Sequence, residues 1–153
     1  MRTLLLAGAM LVLILPAAAD DAETVSACLA AELKVGHDGR ACIDRVADAC
    51  IRETKAETTT AMVECVDRGV NAWDKVLNAD YQDLLKLLPG PAAESVRKAQ
   101  RAWIALRDAD CAVPYDIFEG GTMARIDSVS CVQNHTASRV LQLRIWRQMA
   151  QPE

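Results

Sequence analysis

Aromatic side chains are scarce in this sequence: three Trp, two Tyr and one Phe, 4% of 153 residues. Strand-rich proteins draw on aromatic and β-branched residues, so a 52% hydrophobic content carried by Ala, Val, Leu, Ile and Met points to an all-α fold. Positive charge is also short, 17 Lys+Arg against 21 Asp+Glu, and the basic residues do not cluster. Phosphate neutralisation needs such clusters, so nucleic acid is excluded as a partner and a basic or neutral one is favoured. The six cysteines include no C-x-x-C pair, and the two histidines, His37 and His135, have no ligand-like spacing to cysteines. Both a structural zinc site and a thioredoxin-type redox site are therefore disfavoured. There is no G-x-G-x-x-G, no lysine-bearing phosphate loop and no G-x-S-x-G or Cys/His signature. Acidic residues are numerous enough for any fold to bring two together, so no glycosidase-type pair is claimed. The sequence thus predicts no enzyme, no catalytic residue, no metal and no cofactor.

Long apolar runs are limited to one. Arg2 is followed by an uninterrupted apolar stretch from Leu4 to Leu15, and Pro16-Ala17-Ala18-Ala19 ends in the small-x-small pattern read by a signal peptidase. A spanning helix needs about 20 apolar residues, and this run stops at Asp20-Asp21. Residues 1–19 are accordingly read as a cleaved signal peptide and 20–153 as a single helical domain, periplasmic or secreted, with no membrane span after cleavage. No cysteine follows Ala19 directly, so no lipid attachment is implied. Cleavage also removes Arg2 from a chain already at −4, which makes the remainder more acidic.

All six cysteines, Cys28, Cys42, Cys50, Cys65, Cys111 and Cys131, lie beyond the cleavage point. An even count in an exported chain indicates disulfides. Six cysteines allow 15 pairings, and the connectivity stays open. If Arg40 to Thr54 is one straight helix, Cys42 and Cys50 stand about 12 Å apart along its axis and need other partners. The similar spacings of Cys28 to Cys42 and Cys50 to Cys65 are treated as coincidence.

Helical periodicity organises the rest. Glu23 to Lys34 reads as a short helix closed by the Gly36 and Gly39 turn, and Arg40 to Thr54 as a second. After N-capping threonines, Met62, Cys65, Val66, Val70, Trp73, Val76, Leu77, Tyr81, Leu84, Leu85 and Leu88 recur at three- and four-residue steps. Gly69 is a weak point in that helix. Pro89-Gly90-Pro91 ends it and starts the next, whose spacing holds to Val113, where Pro114 is expected to stop it. Pro114 to Gly121 then reads as a loop, and Thr122 to Ala150 as a last helix with a break near Cys131. The expected architecture is a small disulfide-linked bundle of two short and about three longer helices.

Two constellations stand out. Gln100, Trp103, Arg107 and Cys111 share one helix face, so Arg107 points the same way as what is taken for a core tryptophan. Either Arg107 binds an anionic ligand or it is partly buried against a carboxylate such as Glu119 or a backbone carbonyl, and the cost of an unpaired buried charge favours the second. In the loop, Tyr115, Asp116, Phe118, Glu119, Gly120, Gly121 and Thr122 form a candidate partner-binding segment, since exposed aromatic anchors dominate interfaces. The glycine pair there is read as a fixed turn, and Phe118 as folding back over the helix ends.

The order Q-x-x-W-x-x-x-R-x-x-x-C from Gln100 to Cys111, then Glu119-Gly120-Gly121-Thr122-Met123, then Cys131, Thr136, Arg139 and Leu143, resembles the lysozyme inhibitor LprI-like domain of exported bacterial proteins. Upstream, Cys65, Trp73-Asp74 and Leu77-Asn78-Ala79-Asp80-Tyr81 are similar to the first half of that domain. The resemblance covers about 58–146 and leaves 20–54 outside. It implies a helical, disulfide-linked envelope protein, a Cys111–Cys131 pair, motif positions at Trp103, Arg107 and Arg139, and, for part of the family, inhibition of lysozyme. The expected function is binding that blocks a cell-wall glycosidase by steric occlusion, with a protein partner such as a cationic lysozyme. The alternative is a structural or accessory envelope protein that holds another partner.

Overall fold

The computed structural model describes residues 20–151; the expected signal peptide, residues 1–19, lies outside them. Five α-helices follow one another: α1 (Asp21–Lys34), α2 (Arg45–Thr54), α3 (Thr59–Leu87), α4 (Gly90–Ile117) and α5 (Thr122–Ala150). Among the described residues there is no strand, and no helix is long and apolar enough to cross a membrane.

The long helices form a layer with α5 in the middle. Gly69 and Asp80 of α3 lie beside Gln133 and Arg144 of α5, so these two helices run parallel. Gln100 and Cys111 of α4 meet Arg139 and Cys131 of α5, so α4 runs antiparallel and packs chiefly against that one neighbour. The two short helices pack mainly on α3, and α1 and the segment before α2 also reach α5, where Gly39 lies beside Leu141 and Asp44 beside Gln133. Val25 and Leu29 of α1, Ile43 and Val46 near α2, Trp73, Leu77 and Leu84 of α3, Val96 of α4 and Val140 and Leu143 of α5 make the main core. Each such side chain is worth about 1.5–3 kcal/mol of transfer free energy, which is why apolar spacing fixes these helices.

Local chemistry sets the ends. The Thr58 hydroxyl accepts a hydrogen bond from the Ala61 amide at 3.2 Å and caps α3, worth about 1 kcal/mol. Pro89 and Pro91 bracket the start of α4, where a missing amide costs nothing. The buried Trp73 indole donates to the Ile43 carbonyl at 2.9 Å and ties the segment before α2 to α3.

Several expectations need correction. Arg40 to Thr54 is a 3-10 turn at Arg40–Cys42 followed by α2, because the chain must bend for Cys42 to reach Cys28. Cys28 bonds Cys42 and Cys50 bonds Cys65, Cα separations 5.8 and 5.4 Å, so the matched spacings taken for coincidence are the connectivity itself. Helix α5 runs unbroken through Cys131. Pro114 lies inside α4, which continues to Ile117 and leaves Phe118 to Gly121 as the whole connection. Proline inside a helix costs about 3 kcal/mol. Here α4 survives it because the Phe118 amide donates to the Pro114 carbonyl, the Ser128 hydroxyl to the Cys111 carbonyl, and Cys111 is bonded to Cys131. The fully buried tryptophan is Trp73, while Trp103 is only partly buried.

Candidate functional site

The α4–α5 turn is shaped by its backbone. At the end of α4, Glu119 takes a positive φ of 49° and the Gly120 amide donates to the Tyr115 carbonyl at 3.0 Å, a Schellman-type closure with glutamate in the left-handed position. Gly120 follows at φ 74°, and the Gly121 amide donates to the Phe118 carbonyl at 2.8 Å. The Cys111–Cys131 disulfide holds the two helices together behind this turn, two helical turns from its apex.

Around the turn, Tyr115, Ile117, Phe118 and Met123 are 47, 66, 41 and 52% exposed. Phe118, expected to fold back over the helix ends, is covered only in part. Asp116, Glu119, Gly120, Gly121 and Thr122 are exposed beside them. The structure thus gathers the seven candidate residues at one end of the molecule, and adds Ile117 and Met123. In the sequence Ile117 already reads as one of the loop groups able to face a partner, whereas Met123 reads as a core position of α5. The combination is an apolar knob with two acids and free backbone groups, on a rigid two-helix stem.

The motif residues Trp103, Arg107 and Arg139 lie farther along the α4–α5 seam. Arg139 is buried; its Nε donates to Gln100 Oε1 at 2.9 Å, and its guanidinium lies 4.9 Å from the Trp146 ring centre and 5.8 Å from that of Trp103. Burial pulls its pKa below the ordinary arginine value. Arg107, partly buried, stacks on Trp103 at 5.1 Å and pairs with a carboxylate, that of Asp108 at 2.8 Å, while Glu119, the carboxylate named from the sequence, is not its partner. Asp108 is the adjacent residue, and Glu119 is committed to the turn. Cation–π contacts are worth about 0.5–2 kcal/mol each, so this stack glues α4 to α5. Trp146 completes it; its position follows Arg139 by seven residues on α5, the signal that marks the same face.

Other groupings are structural. Asp80, buried, accepts from Arg144 Nε at 2.5 Å, with Arg147 at 4.0 Å, and fixes α3 against α5. Cys111, Cys131 and His135 bring potential ligand atoms within 4.8 Å of one another, but both sulfurs are spent in the disulfide and offer no thiolate. His135 faces Asp110 at 3.3 Å, and His37 pairs with Glu32 at 2.9 Å in the exposed turn after α1.

A protein of Rhizobium meliloti (strain 1021), described as uncharacterized, is 28% identical over 93 residues, 52% of this chain and 67% of the relative. No solved structure matches the chain. Residues 50–143 match the lysozyme inhibitor LprI family, a stretch that starts at Cys50 and takes in two of the three disulfides, the α4–α5 turn and the Trp103–Arg139 seam. The chain belongs to the lysozyme inhibitor LprI family.

Proposed function

We propose that this is an exported binding protein, released by cleavage of residues 1–19 into the periplasm or medium, which blocks a cell-wall glycosidase of the lysozyme type by steric occlusion. The observation that carries this reading is the exposed apolar knob at the α4–α5 turn, inside the family-matched region and braced by Cys111–Cys131. A convex, pre-ordered turn enters a concave sugar-binding cleft with little entropy left to lose. The net negative charge draws the chain toward a cationic enzyme over long range and speeds encounter.

Asp116 and Glu119 oppose the enzyme's own catalytic carboxylates, so the inserted groups are Tyr115, the backbone of Gly120 and Gly121, and Thr122, with Ile117 and Phe118 packing on the cleft rim. The proposed action requires no reaction by this chain and no metal or cofactor. Binding of a cationic lysozyme, followed by calorimetry, tests the assignment. Tyr115→Ala with Thr122→Ala is expected to weaken the complex at least tenfold, while an exposed change far from the turn, Asp38→Ala, leaves it unchanged. Equal affinity of the turn variant and the parent protein would move the contact surface elsewhere.

A further inference from the structure

Helix α4 buries only one side. Ala93, Val96, Gln100 and Cys111 face α5, whereas Leu106, Val113 and Ile117 on a different side are 55, 47 and 66% exposed. Ala99, Ala102 and Ala109 fill the positions between them, giving steps of three and four residues from Ala99 to Ile117. From Ala99 to Val113 that spacing is the seam of a two-helix coiled coil, and among the described residues no element covers it.

The charges beside the seam identify its occupant. Lys98 and Asp116 are separated by five helical turns and so lie along the same edge of the seam, at opposite ends. Both are exposed, and among the described residues neither forms an ion pair. An antiparallel twofold pair of α4 helices brings like edges together in reverse order. Lys98 of each copy then meets Asp116 of the other, Val113 seats on Ala102, and Leu106 seats beside Ala109. A parallel pair joins unlike edges, which puts Lys98 and Asp116 of the two copies on opposite sides of the seam and leaves both charges without that partner.

We propose that this face of α4 docks a second copy of the same chain, antiparallel, with a Lys98–Asp116 pair at each end. The contact runs along about 27 Å of helix, shorter than a standard interface supplies, so the dimer is reversible. It places the two α4–α5 turns at opposite ends, and it stands whether or not those turns bind lysozyme.

Sedimentation velocity of the oxidised protein at low salt, from low micromolar to near-millimolar concentration, tests it. The expected result is a mass that rises from monomer toward dimer. Leu106→Glu with Val113→Glu abolishes the rise while circular dichroism shows the helices intact. Lys98→Glu weakens association roughly tenfold, and adding Asp116→Lys to it restores the affinity. Monomer mass throughout the range overturns the proposal, as does a dimer indifferent to Leu106→Glu, or a charge swap that fails to rescue Lys98→Glu.

Discussion

Gly69 and Gln133 show how one missing Cβ is used. A Cβ at Gly69 collides with Gln133 Oε1, so glycine lets α5 approach α3 closely enough for Gln133 Nε2 to donate to Asp44 at 2.7 Å. Gly69→Ala is expected to cost about 1–3 kcal/mol in urea denaturation, the usual penalty for overpacking, and Gln133→Ala in the same chain to return part of it. Read as sequence alone, Gly69 is only a weak point in a helix, because its use depends on a residue 64 positions away. Arg139 makes a second residue-scale claim. Its two tryptophan contacts and the Gln100 bond require a flat guanidinium, so both Arg139→Met and Arg139→Lys are expected to lose about 1–3 kcal/mol of stability. A lysine variant as stable as the parent would show that charge alone suffices. Glu119, in the left-handed region at φ 49°, gives the opposite sign: Glu119→Gly is expected to raise stability by about 1 kcal/mol.

At the scale of elements, each disulfide joins neighbouring segments, with separations of 14, 15 and 20 residues, and closes a loop worth about 3 kcal/mol. Replacing Cys111 and Cys131 by serine is expected to cost about that much and to make the α4–α5 turn the first site of limited proteolysis, since only the Phe118 and Ser128 hydrogen bonds then support the end of α4 around Pro114. The periodicity of Met62 to Leu88 and of Val96 to Ala109 was legible as α3 and α4, and Pro89-Gly90-Pro91 as their junction, because those signals are local. The end of α4 was not, since what carries it past Pro114 is supplied by α5. Charge adds a modest pH term. Lys75 beside Asp20, and Lys86 beside Asp83, hold these carboxyls below the ordinary carboxylate range. A carboxyl lowered in the folded state stabilises above its unfolded value, near 3.8, and loses that contribution as pH falls through its folded value. Acid titration followed by circular dichroism should therefore show stability declining below about pH 4, with only a small part from these two exposed pairs.

For the whole molecule, the family, the helical class and the oxidised cysteines point to one arrangement: a stiff helical layer that presents a braced apolar turn. The candidate turn residues were legible in the sequence as aromatic and glycine types between two helices, but their common exposure was not, since Phe118 reads as plug and Met123 as core until α4 is seen to continue. Because net negative charge steers the proposed encounter, raising salt from about 50 to 500 mM should slow association with a cationic lysozyme severalfold while changing dissociation much less. The most direct measurement is turbidity clearance of bacterial cell walls by a cationic lysozyme with the oxidised protein titrated in. The account predicts dose-dependent protection that is lost on reduction and in the Tyr115→Ala, Thr122→Ala variant. Full clearance at large excess, with the three disulfides shown intact, would contradict it.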